Sequence, residues 1–325
     1  MRIAFASCMH SKVFPAQPVW DWIAATQPDH LVLLGDSIYL DVDAGGPPPQ
    51  QIGDNDFAKR LFALYNAQMA QPSFRALVQG MRKNTVWSIW DDHDFLWDNA
   101  LGAEATADPV QEGKVRLSTA FQEAFRRALA NQLSPGSFPA SYNDAVFWDA
   151  NQPPLTTPSV SLPDDVWLHL SDGRTHRTRT FLYPANKRTL LGVQQKNDLA
   201  AAFKATAPGS VNLFASGSTV ASYKTDYAND WNWLAALAAT RRTLVLSGDI
   251  HRNESDAFFT RGFPLHEATS SGAAVKDAVV AGKTRRNFGL VDIDPLHVQF
   301  RLFAGNTEET RYSRKLARAT WLPVS

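Results

Sequence analysis

Four short stretches carry side chains that bind cations or move protons, and each closes an apolar run. They are Cys8 after "RIAFAS", Asp36 and Tyr39 in "GDSIY", Asp91, Asp92, His93 and Asp94 in "WDDHD", and Asp249 and His251 in "SGDIH". Carboxylates this close repel one another and lose hydration on burial unless a cation or a proton settles among them. The neighbours Trp87, Trp90, Phe95 and Trp97 oppose full solvation of the acidic run, so it points to a cation. Asp249 and His251 are alternate residues at a strand end and reach a shared centre once the chain turns. Several carboxylates with few imidazoles and one thiol suit Fe, Mn, Ca or Mg rather than a zinc site of sulfur and nitrogen. Each stretch alone is ordinary: a lone cysteine is usually a small buried hydrophobe, and Gly-Asp often only turns the chain.

These residues must be positioned by strands. "RIAFAS" (2–7) and "HLVLLGD" (30–36) read as buried strands, with "VWDWIAAT" (19–26) between them at helical spacing. Strand, helix, strand implies a parallel pair with its site at the carboxyl ends. Helices are expected at 55–69, 72–81 and 112–133, and "TVWSIW" is the strand that delivers the acidic run. A second series follows: "DDVWLHLSD" and "RTRTFLY" as antiparallel strands, helix at "GVQQKNDLAAAFKAT", strand at "SVNLFASG", helix at "NDWNWLAALAAT" and strand at 242–251. "AVFWDA" reads as a strand within a loop-rich stretch, and "FPLHEATSSGA", "FGLVDIDP" and "HVQFRLFAG" as strands of a second sheet. The expected architecture is mixed α/β: two sheets flanked by helices, in one domain over 1–325, with cap-forming insertions around 40–53, 98–112 and 134–163.

Charge excludes some functions. Thirty-two Lys and Arg balance 32 Asp and Glu, so no basic footprint argues for nucleic acid or an anionic membrane. One cysteine allows no intramolecular disulfide. The apolar run in "MRIAFASCMH" is too short for a signal segment, and no run approaches the roughly 20 residues of a membrane span. A cytoplasmic protein is expected; nothing fixes its oligomeric state.

Taken in order, "ASC", "GDSIY", "WDDHD" and "SGDIH" resemble the alkaline phosphatase D (PhoD-like) family of the calcineurin-like metallophosphoesterase superfamily. "SDGRTHR" (171–177) is similar to its D-x-R-x-x-R element and "LGVQQKNDL" to its helix start. The resemblance spans most of the chain and implies the four-layer αββα fold. Against the wider superfamily, Cys8 replaces the first histidine ligand, Tyr39 takes the last position of G-D-x-x-D, Asp92 replaces the asparagine before His93, and Asp249 replaces the first histidine of G-H-x-H. A lone upstream histidine has no counterpart near "LFASGS".

The resemblance implies a two-metal phosphatase or phosphodiesterase acting on a small phosphoester, with a metal-bridging hydroxide attacking in line. Asp36 would bridge the metals, Cys8, Tyr39 and His251 would hold the first, and Asp92 and Asp249 the second. Fe with Ca or Mn is implied, with Zn or Mg as alternatives. His93 would act on the leaving group, with Asp91 and Asp94 supporting from behind and Asp94 orienting the imidazole. Asn99, Arg252, Arg60 and Arg174 are candidate substrate contacts, each otherwise a structural or surface residue. Two other classes stand beside this one: a non-catalytic metal-binding protein of the same fold, and a cysteine-dependent hydrolase using Cys8.

Overall fold

The runs RIAFA and HLVLL are apolar on both faces, which a strand tolerates when both faces are covered. They form β1 (Arg2–Ala6) and β2 (His30–Leu34), joined by α1 (Val19–Ala25) into a parallel pair with Ile3 opposite His30. The computed structural model describes residues 1–42, 46–276 and 283–324. Helices α2 (Asp54–Ala70) and α3 (Pro72–Gly80) lead to β3 (Val86–Ile89), which adds parallel to β2. One turn of helix, α4 (Asp92–Phe95), follows at once, then the short α5 (Gly102–Ala107) and the long α6 (Glu112–Ala130).

The second half starts with α7 (Ala145–Trp148) and the hairpin β4 (Ser159–Leu162) and β5 (Val166–Leu170). Then come α8 (Val193–Ala205), β6 (Val211–Ser216), α9 (Val220–Asp226), α10 (Ala228–Thr240), β7 (Arg242–Ser247), β8 (Asn253–Phe258) and β9 (Leu265–Ser270). The small pair β10 (Val275–Lys276) and β11 (Thr284–Arg285) precedes β12 (Asn287–Ile293), β13 (His297–Ala304), β14 (Thr307–Glu308) and β15 (Arg314–Ala317).

Among the described residues, one sheet runs β14-β13-β12-β1-β2-β3, with β15 also on β13, and the other runs β4-β5-β6-β7-β9-β8. They face each other across an apolar layer that includes Ile3, Phe5, Val32 and Leu34 from the first and Leu168, Leu213, Leu244 and Leu246 from the second. The first sheet's outer face is covered by a cluster holding Trp20, Phe57, Phe74, Phe121 and Phe125, from α1, α2, α3 and α6. The second is covered by α8, α9 and α10 through Leu199, Phe203, Tyr223 and Leu234. This is the helix–sheet–sheet–helix sandwich that the sequence suggested. No helix among the described residues is long and apolar enough to cross a membrane.

Several local expectations change. Strands β12 and β13 join the first sheet, where β12 pairs antiparallel with β1; of the three late runs, "FPLHEATSSGA" alone places a strand, β9, in the second sheet. "AVFWDA" is a helical turn, not a strand, because the Asp144 side chain accepts from the Val146 N–H and starts one. "RTRTFLY" is not a strand: Arg174 and Arg177 within and before it are drawn to acids and Tyr227 instead of a ladder. In the 134–163 insertion, β4 is part of the sheet. Within the 40–53 cap, residues 43–45 lie outside the described residues.

Candidate active site

Loops leaving β1, β2, β3, β7 and β9 meet around one cavity of about 570 Å³. The strands stop there because the backbone turns sharply: φ is 62° at Cys8, 51° at Asp36, 73° at Asp249 and 53° at His251. Left-handed backbone on non-glycine residues costs on the order of 1–3 kcal/mol each and gathers at functional sites. Gly35, with φ 97°, lets the loop after β2 pass against the acidic run; a Cβ there would lie 2.6 Å from the Asp91 backbone nitrogen.

Asp36, Tyr39, Asp92, His93, Asp249 and His251 all line the cavity, as does Asn99. Cys8 is buried beside them, its Sγ 3.2 Å from Asp36 Oδ2 and 3.2 Å from Ser271 Oγ. Tyr39 Oη lies 3.3 Å from His251 Nε2. The donor atoms of Cys8, Asp36 and His251 lie within 4.8 Å of one another, and so do those of Asp36, Asp92 and His93, so Asp36 belongs to both groups.

Burial and mutual repulsion leave these acids short of countercharge. Burial first, then Cys8 and Asp92, pushes Asp36 well above the carboxylate range. Burial, Asp91 and Asp92 push Asp249 up to about 7. Burial raises the Cys8 thiol to about 11 and raises the Tyr39 phenol well above its usual value. Asp36 Oδ1 is buried with no hydrogen-bond partner among the described residues. A cation would reverse all four penalties by favouring the deprotonated forms, so the donor set fits metal ions. The same high thiol pKa makes Cys8 a poor nucleophile near neutral pH.

Behind the cavity, Arg174 is 1% exposed and pairs with Asp91 Oδ1 through Nε and with Asp92 Oδ1 at 3.5 Å through a terminal nitrogen. Burial opposes its charge, but Asp91 and Asp92 outweigh this and raise its pKa further. Asp92 is correspondingly held below the usual carboxylate range: burial acts against this, and Arg174 and His93 win. Asp92 Oδ2 also accepts the Asn99 N–H at 2.7 Å.

His93 is oriented by a residue the sequence reading missed. Its Nδ1 lies 2.6 Å from Asp41 Oδ1, and Asp41 Oδ2 accepts the Asp98 N–H at 2.6 Å. Burial disfavours the imidazolium, but Asp36, Asp41 and Asp92 together lift His93 to about 10. The only sequence signal for Asp41 was an acid two residues beyond Tyr39. His10 was also missed; it lines the cavity and its ring stacks on Tyr39 at 4.8 Å.

The remaining expected site residues lie elsewhere. Asp94 does not touch His93; its carboxylate accepts the N–H groups of Ser37, Ile38 and Asp91 at 2.7, 3.1 and 3.0 Å, tying the two loops together. Asp91 is buried against Arg174. Arg174 faces these acids rather than the cavity. Arg60 donates to the carbonyls of Leu40 and Pro47, which spends its guanidinium on the loop. Arg252 pairs with Glu254 at 2.5 Å and does not line the cavity. Of the 98–112 insertion Asp98 and Asn99 line the cavity, and no lining residue comes from 134–163.

No family model matches the sequence, and no curated protein matches it. A solved structure of PhoD superposes with a TM-score of 0.67 at 16% identity, covering 100% of this chain and 71% of that one. The chain therefore has the fold of PhoD. A conserved uncharacterized protein of Streptococcus pneumoniae described as a predicted phosphoesterase (TM-score 0.35, 9% identity, 97% of each chain) and Yfce, a phosphoesterase from E. coli (0.31, 11%, 100% of this chain and 97% of that one), are also similar. Those scores are too low to add to the fold assignment.

Proposed function

We propose that the chain is a metal-dependent phosphoester hydrolase of the PhoD type, acting as one unit over 1–325. One observation carries the reading: Asp36, shared between two groups of donors, is buried and keeps an unpartnered carboxylate oxygen. Cys8, Tyr39 and His251 would join Asp36 at one cation, and Asp92 and Asp249 at a second. Thiolate and phenolate favour iron at the first, and the carboxylates favour Ca or Mn at the second. Bound there, two cations supply Lewis acidity that acidifies a water and draws charge from the phosphoryl oxygens.

The chain's own residues do the rest. His93, with Nδ1 held by Asp41, would act as the imidazolium, its Nε2 proton passing to the departing oxygen. Asp41 would hold the ring and favour that protonated form. Arg174 neutralises Asp91 and part of Asp92 from behind, so the acids can stay close without occupying the substrate face. Asn99, whose N–H anchors Asp92 and which lines the cavity, would hold a substrate oxygen.

The test is Asp36→Asn. It removes the shared charge with little change of volume, and should abolish p-nitrophenyl phosphoester hydrolysis together with bound metal measured by elemental analysis. Retained activity, or lost activity with full metal content, would reject the assignment. A cysteine hydrolase predicts the opposite pattern: sensitivity to thiol alkylation and indifference to chelator.

A further inference from the structure

The cavity lining is mixed. Asp36, Asp92, His93, Asp249 and His251 share it with His10, Tyr39, Asp98, Asn99 and Lys276, and with the apolar Val13, Phe14, Val42, Ile250 and Val275. Val13 and Phe14 come from the loop after β1, Val42 from the loop after β2, Ile250 from the loop after β7 and Val275 from β10, so these apolar residues come from four separate segments. Val42 is 40% exposed and the side chains of Val13 and Phe14 are half-buried, so they offer apolar surface, whereas Val275 is buried against Cys8 and Tyr39. Apart from the histidines, Lys276 is the basic lining side chain, and no lining residue among those described is an arginine. Arg60, Arg174 and Arg252 are each committed to other partners. A substituent carrying further phosphates or carboxylates would meet Asp98 and a single ammonium at this rim.

We infer that the site selects phosphoesters whose alcohol part is an apolar alkyl or aryl group seated on the Val13–Phe14–Val42 surface, and discriminates against alcohols bearing extra negative charge. This rests on the function proposed above and names its substrate class. Covering apolar carbon removes it from water at about 0.8 kcal/mol per methylene when complete. A chain lying on an open surface gains roughly half of that, about twofold in affinity per methylene.

The experiment uses non-hydrolysable n-alkylphosphonates, from methyl to hexyl, titrated by calorimetry into the metal-loaded protein, with 3-phosphonopropionate as the charged counterpart of propylphosphonate. Affinity should rise on the order of tenfold or more from methyl to hexyl, and 3-phosphonopropionate should bind more weakly than propylphosphonate. Phe14→Ala and, separately, Val42→Ser should flatten the chain-length dependence while leaving methylphosphonate affinity unchanged. Equal affinity along the series, or tighter binding of the carboxylate, overturns the inference and leaves the hydrolase reading standing if p-nitrophenyl esters are still cleaved. Absence of binding by every phosphonate, together with no hydrolysis, overturns both.

Discussion

Replacing Asp41 by asparagine tests whether His93 is a proton donor to the leaving group. The substitution keeps the shape of the side chain but turns a 2.6 Å charge-assisted bond into a neutral one. Both side chains are well covered, 11% and 13% exposed, so solvent screens the bond little. A hydrogen bond to a charged group contributes about 1.5–3 kcal/mol. If that energy holds the protonated ring in place in the transition state, the loss is roughly 10- to 100-fold in kcat. An alkyl alcohol leaves only with a proton, whereas p-nitrophenolate leaves readily without one. The drop should therefore be 10- to 100-fold for alkyl esters and within about threefold for p-nitrophenyl esters, with metal content unchanged. Steady-state kinetics on both ester types, beside elemental analysis, measures it. An equal drop on both, or loss of metal in the variant, would refute the donor role and make His93 a ligand.

Three further outcomes follow from the geometry. Arg174→Met strands Asp91 and Asp92 as buried charges, and breaking such a pair costs about 3–5 kcal/mol; the denaturant midpoint of the metal-free protein should fall accordingly, and an unchanged midpoint would contradict the pairing. Gly35→Ala places a methyl 2.6 Å from Asp91 on backbone with φ 97°; a lower melting temperature and substoichiometric metal are expected, and wild-type values for both would show that the loops can separate without cost. Burial holds His169 neutral, with its pKa lowered from 6.5 to about 4. Because the unfolded chain takes up that proton first, this contribution is intact above about pH 6.5 and is lost as pH falls toward 4, by about 2 kcal/mol between pH 7 and 5. His169→Gln should remove that part of the acid sensitivity in denaturation curves, and an unaltered slope would count against it.

The elements that periodicity describes well are the ones that came out as expected. β1, α1 and β2, the helix around 112–130 and the strand before "WDDHD" each carry one strong period and bury one continuous face. What failed was long-range or local chemistry. Nothing in "FGLVDIDP" says which sheet it joins, since its apolar pattern would suit either; β12 pairs with β1 across almost the whole chain. "AVFWDA" has strand-type composition, yet one aspartate cap turned it into a helical turn. In the cavity, the acids, thiol and histidines at the strand ends were legible because their types are unusual at such positions. Asp41, by contrast, lies in a loop whose path the sequence does not fix. The arginines were misjudged for a related reason: a guanidinium suits phosphate and carboxylate equally, and only the fold shows that Arg174 was already taken by Asp91.

The pairing of β1 with β12 also bears on when the protein becomes functional. Arg2 pairs with Asp292, so the strand that carries Cys8 at its end lacks one of its two neighbours until nearly the whole chain exists. At 5–20 residues per second of synthesis, that wait is roughly 15–60 s. During it β1 and its partner β2 present an open edge, and the loop bearing Cys8 is not yet held by Ala273 and Ala274, whose N–H groups bond to the carbonyls of Ser7 and Cys8. The proposed metal centre would then assemble only after β12 is made, and a nascent chain stalled before residue 287 would carry all the proposed ligands in sequence without that strand to hold them.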